Sequence, residues 1–359
     1  MTRRELSSAL PALALSGLLF TAGAGRAVAQ TEAPRTPPRL PKENDLVKVL
    51  DHPDDGVLEF IIGPASLKAG GPHLRLPIQM TRIPVDGWLH GFEWEVTDAR
   101  GNREPDDLLH HVNFIDPDHR ELFAPIPRRV LAAGRETTKQ EMPHILGLPV
   151  EKGTRILISA MFASPHDRDY DDLYLHVKVF YTPKGKGFIE PRDVYPFYVD
   201  VMGPVGPKSF EVPPGHTERS WEGRPAIDGR ILGIGGHMHD YATQLRLVDV
   251  TTGEVLWRTI PDTLGDGHVV DVPTDQLWWK GGIKVYKDHT YRVVVDYDNP
   301  LDHPAPDAGM GALGGIIWAA KDTQWPAVDP TAPMYVADLT NTLTAPERLR
   351  GEHMHMGGR

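Results

Sequence analysis

The stretch Arg230-Ile231-Leu232-Gly233-Ile234-Gly235-Gly236-His237-Met238-His239-Asp240-Tyr241 reads as one extended strand. Successive side chains of a strand point to opposite faces, so His237 and His239 leave it on the same side. Met238 then turns to the opposite, core-facing side, and Gly235 and Gly236 allow another backbone or a ligand to approach closely. Two imidazoles offered to one partner suit copper or zinc, although two hydrogen-bonded structural histidines would give the same spacing.

Outward from this strand the pattern repeats. Apolar residues come in short alternating runs instead of long 3.6-period stripes, and the 359 residues include 35 Gly and 34 Pro. That combination predicts an all-β chain, and the length suits one or two domains. Strand-like runs cover Val57–Ile62, His73–Met80, Trp88–Val96, Leu108–Ile115, Arg155–Phe162 and Leu173–Tyr181. His90 falls on the heavily apolar face of the third run and reads as a satisfied core histidine. In the second half, Gln244–Val250 and Glu254–Ile260 flank Thr251-Thr252-Gly253, a hairpin signal. Ile283–Tyr286, Tyr291–Tyr297 and Leu313–Trp318 complete the strands. Trp278 and Trp279 read as packing residues, and a short helix is expected near Met334–Leu343.

Residues 1–29 read as a signal peptide: Arg3 and Arg4 form a basic start, Ala9–Ala24 is mostly apolar, and Ala27-Val28-Ala29 is a cleavage site. Thr2-Arg3-Arg4-Glu5-Leu6 also resembles a twin-arginine export signal. Residues 30–44, rich in Pro, Thr and Arg, read as a linker. The dense Pro and Gly of Gly203–Gly215 place a domain boundary near residue 204, giving sandwiches over 45–204 and 205–345 and a flexible His/Met tail over 346–359. The expected location is periplasmic or secreted, with no membrane span once the signal is removed.

Loss of three Arg and one Glu (net +2) with the signal takes the formal charge from −11 to −13. Such acidity argues against nucleic-acid partners and anionic membranes. The absence of cysteine excludes disulfides, thiolate metal sites and a cysteine nucleophile. No G-x-S-x-G marks a serine hydrolase and no H-E-x-x-H marks a zincin. A transition metal would have to be held by His, Met or carboxylate.

Further ligand candidates lie at His110-His111 and at Met310 in Ala308-Gly309-Met310-Gly311, 71 residues beyond His239. Adjacent histidines on a regular strand diverge, so His110 and His111 reach one ion only near a strand end or a bulge. In order and spacing this set resembles the copper type II, ascorbate-dependent monooxygenases, the family of peptidylglycine α-hydroxylating monooxygenase and dopamine β-hydroxylase. The resemblance covers about residues 50 to 320.

It implies two tandem antiparallel jelly-roll-like β-sandwich domains, each holding one copper. His237, His239 and Met310 would carry the copper that activates O2 and removes hydrogen from a C–H bond of a small-molecule substrate. His110 and His111 would hold the copper that stores the second electron, with ascorbate or a similar external reductant. A thioether favours Cu(I), the form that meets dioxygen, which fits this division.

The chain departs from the family at the third N-terminal ligand. Ile156–Ser164, where the family has a histidine, contains none; His176, Met161, His166 or no third ligand remain open, His176 being preferred. The residues that grip a peptide carboxylate in the amidating enzymes have no counterpart. A non-catalytic copper-binding or copper-handling role is the alternative, as is a metal-free binding module. Asp240 and Tyr241 are candidates for orienting His239. Glu352-His353-Met354-His355-Met356 reads as a disordered end or a metal-capturing tail.

Overall fold

Period-two alternation builds the first sandwich. Along Val57–Leu67, Leu58, Phe60 and Ile62 are buried while Glu59 and Ile61 are only partly so. The computed structural model describes residues 36–134, 137, 139–186, 189–306, 309–320, 323–344 and 348–349, and the expected signal peptide and His/Met tail lie outside them. The centre of one sheet is Val57–Leu67, Tyr170–Pro183 and Gly87–Thr97, paired antiparallel in that order. Facing it are His73–Arg75, Arg155–Phe162, Leu109–Arg120 and Pro127–Gly134. Phe60 and Phe114 meet edge-on across the gap, with ring centroids 4.9 Å apart, among Val96, Val112, Leu175 and Val177.

A second sandwich follows the same rule. Tyr195–Asp200, Gly311–Ala319 and Gly229–Met238 form one layer; Gly215–Gly223, Tyr291–Asn299, Ala242–Asp249 and Glu254–Thr259 form the other. Met238, Leu245, Val295, Tyr297 and Leu313 fill the space between. The hairpin lies where the Thr251-Thr252-Gly253 signal puts it, with Asp249 opposite Glu254 and Gly253 at φ 77°. The chain is thus all-β, built from jelly-roll-like sandwiches, and among the described residues no helix is long and apolar enough to cross a membrane.

The division of the chain differs from the expected one. Tyr195–Asp200, before residue 204, already pairs with Gly311–Ala319 of the second half (Val199 opposite Leu313). Leu122 and Phe123 also belong to the second core. Pro- and Gly-rich text marks an irregular connection, not the place where one core gives way to the next.

The far end of the second half returns to the first sandwich as well. The helix Pro333–Thr344 lays Tyr335, Val336 and Leu339 on Ile115 and Leu157. Each such buried side chain contributes about 1.5–3 kcal/mol. Asp338 on this helix accepts two bonds of 2.8 Å from the Arg129 guanidinium. Arg348–Leu349 then adds to the edge of His73–Arg75. Trp279 is no packing residue: it is 76% exposed.

Candidate metal centre

The strand Leu109–Arg120 presents Val112 and Phe114 to the first core, so a regular strand would send His111 outward and His110 inward. Its ladder is irregular at that point. Met161 faces His111, but the next residue, Phe162, faces Leu109. His110 is the extra residue of a β-bulge, which re-aims its side chain. The two rings consequently lie side by side, centroids 3.9 Å apart. His73, two strands across the sheet, comes within 4.6 Å of the His110 ring.

In the second half Ile234, Gly236 and Met238 face the core. A Cβ on Gly236 would lie 2.2 Å from Leu245 Cδ2 and 3.0 Å from the Ala312 carbonyl oxygen, so only glycine fits. His237 and His239 take the other face, and their Nε2 atoms approach to 3.1 Å. The contact is a hydrogen bond between the two rings, and its length is close to the separation of about 3.4 Å that two nitrogens bound at about 2.0–2.1 Å to one tetrahedral ion would have.

Met310 comes to the same place through the ladder. His237 pairs with Ala312 and Met238 with Gly311, and His239 and Met310 are the next residues beyond the end of that ladder. There the buried Tyr297 hydroxyl takes over from backbone pairing. It accepts the N–H of His239 at 3.1 Å and that of Met310 at 2.9 Å, and donates to the Met310 carbonyl.

One histidine of each group, His111 and His237, opens onto a common space. A cavity of roughly 530 Å³ is lined by His111 and Asn113 from the first sandwich and by His237, Met310 and Leu313 from the second. Burial first, then the neighbouring imidazoles of His110, His237, His239 and His73, hold His111 well below the usual histidine range. A ring kept neutral retains the lone pair that a metal needs. Other histidines instead meet a carboxylate: His52 with Glu59, His119 with Asp116, His289 with Asp249.

His176, the preferred third ligand, belongs to this carboxylate-paired group. It lies on the outer face of the opposite sheet, 2.9 Å from Glu59 and 3.1 Å from Thr97, because its strand turns Leu175 and Val177 inward. His166 bonds Asp107 at 2.9 Å. Met161 stays beside His111 as its cross-strand partner. The residue that joins the pair is His73, which precedes it in sequence and which spacing does not single out; only the strand order of the sheet reveals it. Asp240 accepts from the Val269 N–H at 2.9 Å and lies 3.0 Å from His268 Nδ1. Tyr241, at φ 69°, donates its N–H to the Gly267 carbonyl at 2.9 Å.

No protein-family model matches the chain, and no curated protein is significantly similar to it. Among solved structures, the STIV MCP is similar over 69% of this chain and 97% of its own, with 8% identity and a TM-score of 0.39. A chain in the atomic structure of Sulfolobus Turreted Icosahedral Virus gives 10% identity and 0.36, over 82% and 99%. PNGF-II gives 8% identity and 0.31, over 76% and 62%. Likeness at this level carries no argument about the site.

Proposed function

We propose that the chain is an exported copper-dependent monooxygenase-like protein that hydroxylates a C–H bond of a small substrate. The observation that carries this reading is the 3.1 Å approach of His237 Nε2 to His239 Nε2, with His237 and Met310 lining one cavity. These three residues would hold one copper, and His110 and His111, joined by His73, the other. Copper held by two imidazoles and a thioether supplies one-electron chemistry with dioxygen, the reductant being ascorbate or a similar small molecule.

The protein's own part is positional. The Tyr297 hydroxyl fixes the backbones that carry His239 and Met310. The bulge at His110 gathers the first pair of rings. Leu89, Phe92, Leu131, Phe197 and Ile316 give the cavity apolar walls, which exclude water and suit a small, largely apolar substrate. A periplasmic or secreted location belongs to the same proposal and rests on the basic, apolar, Ala-x-Ala leader.

Copper stoichiometry after anaerobic loading, followed by ascorbate-dependent oxygen uptake, tests the proposal. Two coppers per chain and uptake abolished by Met310→Ile are expected. Tight copper binding with no uptake above that of free copper would make the chain a copper-handling protein. Fewer than one copper per chain would remove the copper assignment altogether.

A further inference from the structure

His90 does not behave as a satisfied core histidine. It is 3% exposed, and its buried Nδ1 has no hydrogen-bond partner. Its position is irregular in the same way as that of His110: Phe180 faces Gly91 and Tyr181 faces Leu89, leaving His90 as the extra residue of a β-bulge.

Two potential ligands stand beside that ring. The strand Lys139–Glu141 pairs with Gly87–Thr97, Glu141 facing Gly91, and the Met142 N–H donates to the His90 carbonyl at 2.8 Å. A turn closed by Leu146 N–H on the Pro143 carbonyl then carries His144 over the His90 ring, centroids 4.2 Å apart. One ligand atom each from His90, Glu141 and His144 lies within 4.8 Å of the others. Glu141 Oε1 lies 3.4 Å from His144 Nε2, while its other oxygen meets Lys139 at 3.2 Å.

We propose that His90, Glu141 and His144 form a further metal site, distinct in its ligands from the copper centre, that takes a zinc-type divalent cation. Two imidazoles and one carboxylate are a zinc ligand set with a fourth position left open, whereas a thioether, the donor that favours Cu(I), is absent from it. A bound ion would give the orphaned Nδ1 the partner it lacks. The fixed ring is the buried one. His144 and Glu141 have side chains 71% and 37% exposed, so both can swing onto the ion. The site would fasten Lys139–Glu141 to the central strand at the wall of the cavity, which His90 and Glu141 line.

Zinc binding to the full chain, measured by calorimetry and by metal analysis after gel filtration, tests this. A His237→Ala/His239→Ala background that also carries His73→Ala and His110→Ala keeps the other candidate ligands from masking the result. Adding His144→Ala or Glu141→Gln, both at accessible side chains, should remove one zinc equivalent per chain and abolish the zinc-induced rise in Tm. Copper stoichiometry in the otherwise wild-type chain should not change with either substitution, which separates this site from the proposed copper function. Equal zinc stoichiometry and affinity with and without His144→Ala would overturn the site. So would a loss of zinc that His144→Ala produces only together with a loss of copper.

Discussion

The Tyr297 hydroxyl accepts the backbone N–H of His239 at 3.1 Å, from the opposite layer of the second sandwich. The same oxygen binds the backbone of Met310, so one buried atom sets the distance between a histidine and a methionine that are 71 residues apart. Tyr297→Phe keeps the ring that packs against Phe210 and deletes this link. The unsatisfied N–H groups should cost about 1–3 kcal/mol. Copper affinity at His237/His239/Met310 should fall about 10–100-fold, as for other partners that orient ligands. Competitive copper titration beside a denaturant melt reads both; unchanged affinity would show that the hydroxyl serves the fold alone.

His73 and His176 give opposite expectations. His73→Ala removes a ring 4.6 Å from His110 and should lower copper occupancy by up to one equivalent per chain. His176→Ala cuts bonds to Glu59 and Thr97 on the far sheet and should leave occupancy at its wild-type value. Metal analysis of the two purified variants decides between them.

The fold was legible in the sequence to the extent that local periodicity determines it. Alternation around Val57–Leu67 and the Thr251-Thr252-Gly253 turn needed no tertiary information, and His237/His239 follow from period two alone. The requirement for a bulge at His110/His111 could be stated from the same period. What could not be read is which strands become neighbours. His73 reaches His110 only because Arg155–Phe162 lies between their strands. His176 misses because its strand joins the other sheet. Burial without a partner at His90 was likewise invisible, since an apolar face gives no sign of what stands opposite Nδ1.

Gly236 should resist any enlargement. Gly236→Ala drives a methyl group into Leu245 and the Ala312 carbonyl, with an expected loss of about 1–3 kcal/mol. Leu245 can be shortened and Ala312's backbone cannot, so Leu245→Ala should restore only part of that loss when combined with Gly236→Ala. A double-mutant cycle by urea denaturation measures the coupling.

Glu121 gives the chain a pH dependence. Burial pushes its carboxyl up to about 7, although the N–H groups of Arg129, Leu122 and Tyr198 and the nearby arginines pull the other way. The folded state therefore holds this proton more tightly than the unfolded state does. The associated stability is complete below about 4.5, the unfolded value, and is lost as pH rises to about 7. The loss is on the order of 3 kcal/mol. Measured against Glu121→Gln, wild-type stability should fall across this window and run parallel to the variant above and below it.

The Arg129–Asp338 pair is almost wholly buried, its side chains 13% and 4% exposed. Asp338→Ala should cost about 3–5 kcal/mol by stranding the guanidinium, and the double change Arg129→Met/Asp338→Leu should cost less than either single one. Hydrogen exchange along Pro333–Thr344 should accelerate in Asp338→Ala. Protection equal to wild type would mean that apolar contacts alone anchor the helix.

That helix also bears on how the protein is made. Ile115 and Leu157 emerge early in synthesis, yet the buried side chains that complete their cluster, Tyr335, Val336 and Leu339, come from the helix Pro333–Thr344, far later in the chain. Until then the nascent first half carries an uncovered greasy patch and an unfilled strand edge at His73–Arg75.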